Sequence, residues 1–212
     1  MKKTKVVLVG LISVGLAANL VSANLLTDPG FENSGSAAWD PGASTNAFEY
    51  DFDATAYTRS GVEALEVKWT QPIAQWNLFD AKQTVAVNSG DPWEASVYAL
   101  VPEAAPVNNA EVYLETIFLD AGMAETGHKL KSDLLPTHTT NQWMQLVNNG
   151  TVLAGDVYAK YRLVVFTSLE GGSSSGSLYF DDAEALIPEP ATASILGLAL
   201  LLLRPLVRRN RR

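Results

Sequence analysis

Apolar and polar residues alternate along several stretches between residues 24 and 187. From Trp93 to Val101 every second residue is apolar, and a similar alternation runs from Val112 to Phe118 and from Tyr161 to Val165. A period of two predicts β-strands that bury one face. Shorter segments of the same character are Val62 to Trp69, Gln83 to Val87, Trp143 to Val147 and Leu178 to Leu186.

Turn-forming residues separate these segments. Clusters of Gly, Asn, Ser, Asp and Pro fill residues 88–92, 148–150 and 171–177, and such clusters favour loops. No stretch between 24 and 187 has the spacing of a long amphipathic helix. Seven or eight strands in a segment of this length predict an all-β fold, an antiparallel β-sandwich of the jelly-roll kind.

The first 23 residues have the three parts of a secretory signal peptide. Residues 2–5 form a basic start, an apolar run follows from Val6 to Val21, and Val21-Ser22-Ala23 places small residues where signal peptidase reads them. We therefore predict that residues 1–23 are a signal peptide removed after Ala23. A retained N-terminal anchor is the alternative, which the short, glycine-interrupted apolar run disfavours.

The last 25 residues carry a proline motif, an apolar segment and a basic end. Pro188-Glu189-Pro190 precedes a hydrophobic segment, residues 191–207, and residues 208–212 hold four arginines. As a helix, residues 191–203 would span about 20 Å, short of the roughly 30 Å hydrocarbon core. The segment approaches spanning length when residues 204–207 join it, with the arginines on the cytoplasmic side. The prolines then lie in an extended segment just outside the membrane.

This order of features resembles the PEP-CTERM sorting signal of Gram-negative bacteria, and the resemblance covers residues 188–212 only. It implies that the hydrophobic helix anchors the chain transiently in the inner membrane and that an exosortase then processes it near residues 188–190. It also implies a final place in the cell envelope or outside the cell. The alternative is an ordinary C-terminal tail anchor that is never cut.

The negative charge of the chain is concentrated in its middle. Residues 24–187 hold 22 acidic and seven basic side chains, a formal charge of −15, against −8 for the whole sequence. Such a surface repels phosphate backbones, so we expect no nucleic-acid partner. The sequence has no cysteine, which excludes disulfides, thiolate metal sites and thiol catalysis.

Several segments between 24 and 187 resemble galactose-binding-like jelly rolls, the fold of many carbohydrate-binding modules. The resemblance rests on residues 24–32 followed by Trp39, on residues 83–87 followed by the strand of Trp93, on residues 139–143 and on residues 178–183. It implies an opening strand in residues 24–32 and a closing strand in residues 178–183. It also places Trp39, Trp93 and Trp143 at positions that usually belong to the core.

The same resemblance implies a structural calcium ion between the opening and closing strands. Glu32 and Asp181 match the ligand positions of the family, and Asp182 is a further candidate. A carboxylate that faces the core needs a partner, and calcium takes six to eight oxygen ligands. The alternative is that Asp181 caps a turn and Glu32 is solvated. The residues expected to share the inward face of Asp181 are Tyr179, Ala183 and Ala185.

Carbohydrate-binding modules stack aromatic rings on the apolar face of a sugar, while amide and carboxylate groups bond to its hydroxyls. Trp69 and Trp76 lie in the least patterned part of the domain, near the amides of Gln71 and Asn77. We therefore predict these four residues as the carbohydrate-binding site. The alternative is that both tryptophans belong to the core, where most tryptophans of a sandwich lie.

Few residues point to catalysis. His128 and His138 are the only histidines and lack metal-ligand spacing, and no nucleophile elbow, phosphate-binding loop or dinucleotide fingerprint is present. We expect no enzymatic activity and no organic cofactor. The sequence favours an exported surface or biofilm-matrix protein whose jelly roll binds extracellular polysaccharide. The alternative is a purely structural envelope component with no sugar site.

Overall fold

Ten β-strands account for the regular structure in the computed structural model, which describes residues 22–33, 37–43, 48–69, 77–167 and 174–188. All of these residues belong to one compact unit, Ser22–Glu189. The strands are β1 (Asp40–Ala43), β2 (Phe48–Ala54), β3 (Ala64–Trp69), β4 (Asn77–Ala86), β5 (Pro92–Leu100), β6 (Ala110–Leu119), β7 (Glu125–Lys131), β8 (Met144–Thr151), β9 (Tyr158–Thr167) and β10 (Gly176–Leu186).

The strands form two five-stranded sheets. The first sheet has the order β1-β4-β9-β6-β7 and the second has the order β2-β3-β10-β5-β8. Every strand pair within them is antiparallel. The predicted all-β antiparallel sandwich is therefore confirmed. In the ranges that the structure describes, no helix is long and apolar enough to cross a membrane. Residues 1–21 of the predicted signal peptide (residues 1–23) and the whole predicted C-terminal helix lie outside those ranges.

All seven segments predicted from alternation coincide with strands, while β1, β2 and β7 were not predicted. β1 contains Pro41 and Gly42, and β7 buries none of its residues completely. These two strands lack the alternation that identifies a half-buried strand, whereas β2 alternates from Phe48 to Ala54 and could have been predicted. The expected opening strand at residues 24–32 was wrong, because that segment has no strand and is held to β10 by single bonds such as Leu25 N–H to Ala185 O, at 2.9 Å.

The core lies between the two sheets and contains polar bonds that join them. Trp93 of β5 donates its indole N–H to Thr116 Oγ1 of β6 at 3.1 Å, and the Tyr161 hydroxyl of β9 donates to the Ser96 carbonyl of β5 at 2.7 Å. All four groups are buried. Buried polar groups that are bonded in this way fix one alignment of the two sheets, since any other alignment leaves them without partners.

A bulge in β10 changes which residues face the core. The pairing of β10 with β5 shifts by one residue between Asp181 and Glu184, so the alternation before the bulge does not continue after it. Ala183 and Ala185 belong to the main core, but Asp181, expected on their face, lies opposite Tyr98 on the outer face and is buried beneath Arg59 and Ser60. Tyr179 was also expected on the inward face, but it shares the outer face with Asp181 and belongs to a separate apolar cluster that includes Leu100.

Candidate functional site

Two aromatic side chains lie together on the outer face of the first sheet. Tyr113 of β6 is opposite Val164 of β9, and Phe166 is opposite Glu111. Opposed residues share a face of a sheet, as do residues two apart in one strand. Tyr113 and Phe166 are therefore diagonal neighbours on the face turned away from the core. Both are half-buried, so part of each ring is accessible to a ligand.

Arg162 lies on the same face and is bonded to two carboxylates. Its Nε donates to Asp80 Oδ2 at 2.8 Å and its Nη1 donates to Glu115 Oε2 at 2.6 Å. The three side chains are only 15%, 10% and 15% exposed, in that order. A guanidinium committed to carboxylates on two of its sides has little freedom to rotate. Its other N–H donors and the carboxylate oxygens therefore point in fixed directions. Recognition of sugar hydroxyls requires donors and acceptors that are fixed in this way.

A glycine leaves the space for Asp80. Gly42 of β1 lies opposite Asp80 of β4, and a Cβ atom at residue 42 would overlap the Asp80 carboxylate. Lys82 Nζ lies 3.7 Å from Asp80 Oδ1 and 3.4 Å from Asp40 Oδ2. The carboxylate of Asp80 is thus held between two cations and a strand that carries no side chain at the point of contact.

Five charged side chains, among them Lys82 and Arg162, form a row that crosses all five strands of the sheet. The register aligns, from one edge to the other, Asp40, Lys82, Arg162, Glu115 and Lys131, which we call the charged row. With strands about 4.8 Å apart, four intervals give the row a length of about 19 Å. An extended polysaccharide lying along the charged row would place several consecutive sugar units in contact with it.

Lys131 connects the charged row to the aromatic pair. Its Nζ lies 3.6 Å from the centre of the Tyr113 ring and 3.6 Å from Glu111 Oε2. A cation over a ring face restrains both groups. Burial raises the pKa of Tyr113, and the neighbouring carboxylate of Glu115 raises it further. The phenol therefore stays protonated at neutral pH and keeps its hydrogen-bond donor.

The predicted carbohydrate site at residues 69–77 needs correction. Trp69 is 1% exposed and its indole N–H donates to Ser174 Oγ at 2.8 Å. Asn77 is 5% exposed. A buried ring cannot stack on a sugar, and a buried amide cannot reach its hydroxyls. Trp69 and Asn77 therefore do not form an accessible binding surface. Gln71 and Trp76 lie outside the described residues, and their predicted role stays a prediction.

The three tryptophans assigned to the core divide into two groups. Trp39 and Trp93 are 3% and 1% exposed, which confirms their assignment. Trp39 stacks on Phe31 with ring centres 4.9 Å apart. Trp143 is only half-buried and packs on the separate cluster of Tyr179 instead of the main core. Its assignment to the core was therefore wrong.

Two of the acids predicted to bind calcium, Asp181 and Asp182, contact the loop before β3. Asp181 Oδ2 accepts the backbone N–H groups of Arg59 and Ser60 at 2.7 and 3.1 Å, and its Oδ1 accepts that of Asp182 at 2.7 Å. Asp182 accepts bonds from the side chains of Arg59 and Ser60. Burial raises the pKa of Asp181, while these three backbone N–H bonds act in the opposite direction.

Glu32 holds the other end of the same loop. Its two carboxylate oxygens each lie 3.1 Å from the Val62 backbone N–H, and Glu63 donates to Oε1 at 3.4 Å. Gly61 has a φ of +61°, and a Cβ atom there would overlap the Glu32 carboxylate. Glu32 and Asp181 therefore restrain residues 59–63 from two sides.

These acids do not converge on a common point. In the part of the chain that the structure describes, no group of three or more acidic or histidine side chains is arranged to hold a metal. The oxygens of Glu32, Asp181 and Asp182 accept N–H or hydroxyl donors instead. The arrangement seen does not fit a calcium ion, and calcium at these residues stays a prediction from the sequence.

The aromatic pair and the charged row were missed because they look ordinary in the sequence. Tyr113, Glu115 and Arg162 alternate with buried residues, and such positions are normally a solvated face of a strand. The signal that was available is the presence of two aromatic residues, Tyr113 and Phe166, on outward positions of strands that also carry charges. Only the register between β6 and β9 shows that they are neighbours.

Solved structures with a similar fold include carbohydrate-binding modules. The xylan-binding domain CBM22-1 from Paenibacillus barcinonensis matches with a TM-score of 0.51 and 14% identity, over 80% of this chain and 97% of that one. A family 61 module in complex with β-1,4-galactotriose matches with a TM-score of 0.51 and 18% identity, over 79% of this chain and all of that one. These identities are low, so the likeness shows the fold and leaves the ligand of this chain open.

An enzyme also contains a domain of this shape. The enzymatically active domain of tailspike protein 4 from bacteriophage CBA120 matches with a TM-score of 0.60 and 11% identity, over 78% of this chain. The present chain spans only 21% of that protein. No protein-family model matches the chain, and no curated protein is similar to it at a significant level.

Proposed function

We propose that this protein is an exported, non-enzymatic protein that binds extracellular polysaccharide through the outer face of the first sheet. The observation that carries the proposal is the position of two half-buried rings, Tyr113 and Phe166, on the face where Arg162 is bonded to Asp80 and Glu115. Aromatic rings beside a restrained set of donors and acceptors are the chemistry that holds sugars.

The fold supports the same proposal. Solved structures of similar shape include a xylan-binding domain and a module in complex with a galactotriose. Fold alone does not assign function, so the proposal rests on the site. The negative charge of residues 24–187 favours neutral polysaccharides over anionic ones, because an anionic chain would be repelled.

Export and sorting form the second part of the proposal. The predicted signal peptide, the Pro188-Glu189-Pro190 motif and the arginine-rich end support passage through the inner membrane and processing by an exosortase. Intact-mass analysis of the protein from its host tests this. A product that begins at Asn24 and ends near residues 188–190 is expected. Recovery with Arg212 still present would identify a tail-anchored envelope protein instead.

Affinity electrophoresis in gels that contain soluble xylan, β-1,4-galactan or polygalacturonate tests the binding proposal. We expect retardation by at least one of the two neutral polysaccharides and none by the anionic one. If neutral polysaccharides from the envelope and matrix of the host also fail to retard the protein, the alternative is favoured. That alternative is a purely structural envelope or biofilm component that uses the sandwich without a sugar site.

A further inference from the structure

The outer face of the second sheet contains a cavity that has no part in the site on the first sheet. Its volume is about 400 Å³, within the range of roughly 300 to 1,000 Å³ typical of small-molecule sites. It lies beside the bulge of β10, where the chain turns Asp182 outward while Asp181 stays buried. The polar residues that line it are Asn24, Arg59, Ser60, Gln145, Asp182 and Glu184, together with Tyr98.

One wall of the cavity is a stacked pair. The Arg59 guanidinium carbon lies 3.5 Å from the centre of the Tyr98 ring, and Arg59 Nη1 donates to Asp182. The Arg59 side chain is still 38% exposed. Stacking and the ion pair together hold the planar group in one orientation. Because Asp182 is bonded to Nη1, the guanidinium has further N–H donors directed elsewhere.

Polar groups from two other strands complete the cavity. Gln145 of β8 lies directly opposite Tyr98 of β5, and Glu184 of β10 lies opposite Ser96 of the same strand. Gln145 and Glu184 are both exposed. The amide offers a donor and an acceptor, and the carboxylate offers acceptors only. Together with Arg59 these groups match the mixed donors and acceptors of sugar hydroxyls.

The charge of the cavity narrows the class of ligand. Asp182 and Glu184 supply two negative charges, against one positive charge on Arg59. Asp182 already pairs with Arg59, so the carboxylate of Glu184 leaves a net negative charge at the cavity. Phosphates and uronic acids would be repelled. A neutral sugar meets no such repulsion.

We propose that this cavity is a second carbohydrate-binding site, specific for a neutral sugar unit. Arg59 and Gln145 donate to sugar hydroxyls, Glu184 accepts from them, and the Arg59–Tyr98 pair forms the wall against which the sugar lies. The two sites lie on the outer faces of opposite sheets of the sandwich. One molecule therefore joins two polysaccharide chains, a consequence that rests also on the proposed function of the first site.

The test is the number of sites measured by calorimetry on protein expressed from the full chain. The probes are xylotriose and β-1,4-galactotriose, with trigalacturonate as the anionic comparison. Gln145→Ala combined with Glu184→Ala removes two polar walls of the cavity at exposed positions, so folding is retained. Asn149→Ala is the matched control, since Asn149 is an exposed amide of the same strand and lies outside the cavity.

We expect two sites per molecule for a neutral trisaccharide and one site in the double variant, whose remaining binding is unchanged. Asn149→Ala should keep both sites, and trigalacturonate should bind at neither. Soluble xylan or galactan should form a precipitate with the wild type and none with the double variant, because a single site cannot join two chains.

The outcomes separate the two proposals. If the double variant binds as the wild type does while Tyr113→Ala weakens binding about tenfold, the cavity has no site and the proposed function stands. If the double variant abolishes binding while Tyr113→Ala has no effect, the cavity is the site and the first sheet is not. If trigalacturonate binds to the wild type and this binding is lost in the double variant, the charge argument is overturned. Absence of binding by both neutral trisaccharides at millimolar concentration would overturn both proposals.

Discussion

Arg162 and Glu115 lie directly opposite each other on β9 and β6, with Nη1 and Oε2 only 2.6 Å apart. Asp80 of β4, the strand on the other side of β9, accepts the Nε–H of the same guanidinium at 2.8 Å. One cation therefore holds two largely buried carboxylates, and it does so beside the rings that we propose for sugar stacking. The same contact thus contributes to stability and to the shape of the site.

Replacement of Arg162 by Met should destabilise the protein, because Asp80 and Glu115 would lose their shared cation. Breaking such a pair from one side costs about 3 kcal/mol when the partners are buried. Urea denaturation measures the change in the free energy of unfolding. Lys160→Met is the control, since Lys160 is on the same strand and reaches Glu125 only at 3.9 Å, and it should cost less than about 1 kcal/mol. Equal costs would contradict the role of Arg162.

Replacement of Tyr113 by Ala should weaken polysaccharide binding with little loss of stability. Loss of one stacking ring costs on the order of 1 to 2 kcal/mol of binding free energy, about a tenfold change in affinity. Retardation in polysaccharide gels measures it. Tyr158→Ala is the control, because Tyr158 is on the same face of β9 but six residues from Val164, the partner of Tyr113. A similar loss in both variants would indicate that neither ring is specific.

The pair of His128 and Asp156 gives a prediction about pH. The Nδ1 atom of His128 lies 2.7 Å from Asp156 Oδ2, and Asp156 is 4% exposed. Burial raises the pKa of Asp156, but bonds from His128, Thr126 and the Leu153 backbone N–H outweigh it and leave the pKa below its usual value. The stability that Asp156 contributes is thus complete above the unfolded pKa of about 3.9 and is lost as the pH falls through the folded value.

Asp156→Asn should therefore cost about 2 kcal/mol near pH 6, the value of a hydrogen-bonded charge, and almost nothing once the pH is below the folded pKa of Asp156. Thermal unfolding measured from pH 2 to pH 6 provides the comparison. Asp133→Asn, at an exposed position, should leave the pH dependence of the wild type unchanged. If the difference between wild type and Asp156→Asn were constant with pH, the bonds to the ionised carboxylate would not be the cause.

Asp181→Ala should release the loop at residues 59–63. Three backbone N–H groups would lose their acceptor in a buried place, and each unsatisfied group costs about 1 to 3 kcal/mol. Hydrogen exchange at Arg59 and Ser60 reports the opening directly, because their amides bond to Asp181 Oδ2. Rapid exchange at these two amides is expected, with protection retained in β6 and β9. Unchanged protection would show that another group holds the loop.

Calcium titration tests the metal predicted at Glu32, Asp181 and Asp182. Since the carboxylates of these residues already accept hydrogen bonds, we expect the same melting temperature in calcium chloride and in EGTA. A stabilisation of several degrees that Asp181→Asn abolishes would instead confirm the calcium site.

The sequence predicted the strands better than the site, for a physical reason. β5, β6 and β9 bury one face, so their alternation identifies them without knowledge of their neighbours. Glu115 and Arg162 are 47 residues apart in the chain, and their contact depends on the register between two strands, which alternation does not determine. Trp69 was misread for a related reason, since its partner Ser174 lies 105 residues away.

The bulge of β10 shows a second limit. Alternation continued through residues 179 to 185 predicts Tyr179, Asp181 and Ala183 on one face. The prediction fails because a bulge adds a residue that the pattern of apolar and polar positions does not reveal. The structure keeps Tyr179 and Asp181 together on the outer face of the second sheet, opposite Leu100 and Tyr98, and places Ala183 in the core. The cavity beside Asp182 exists because of that irregularity, and no periodic pattern would have indicated it.

The position of the sugar on the protein is the most direct test of the central claim. Amide chemical shifts of isotope-labelled protein, recorded during titration with xylotriose and with β-1,4-galactotriose, report which residues contact it. The account predicts that the largest changes fall on β6 and β9 around Tyr113, Arg162 and Phe166, and that in Tyr113→Ala they require about tenfold more sugar. Changes confined to other parts of the molecule, or no changes with either sugar at millimolar concentration, would contradict it.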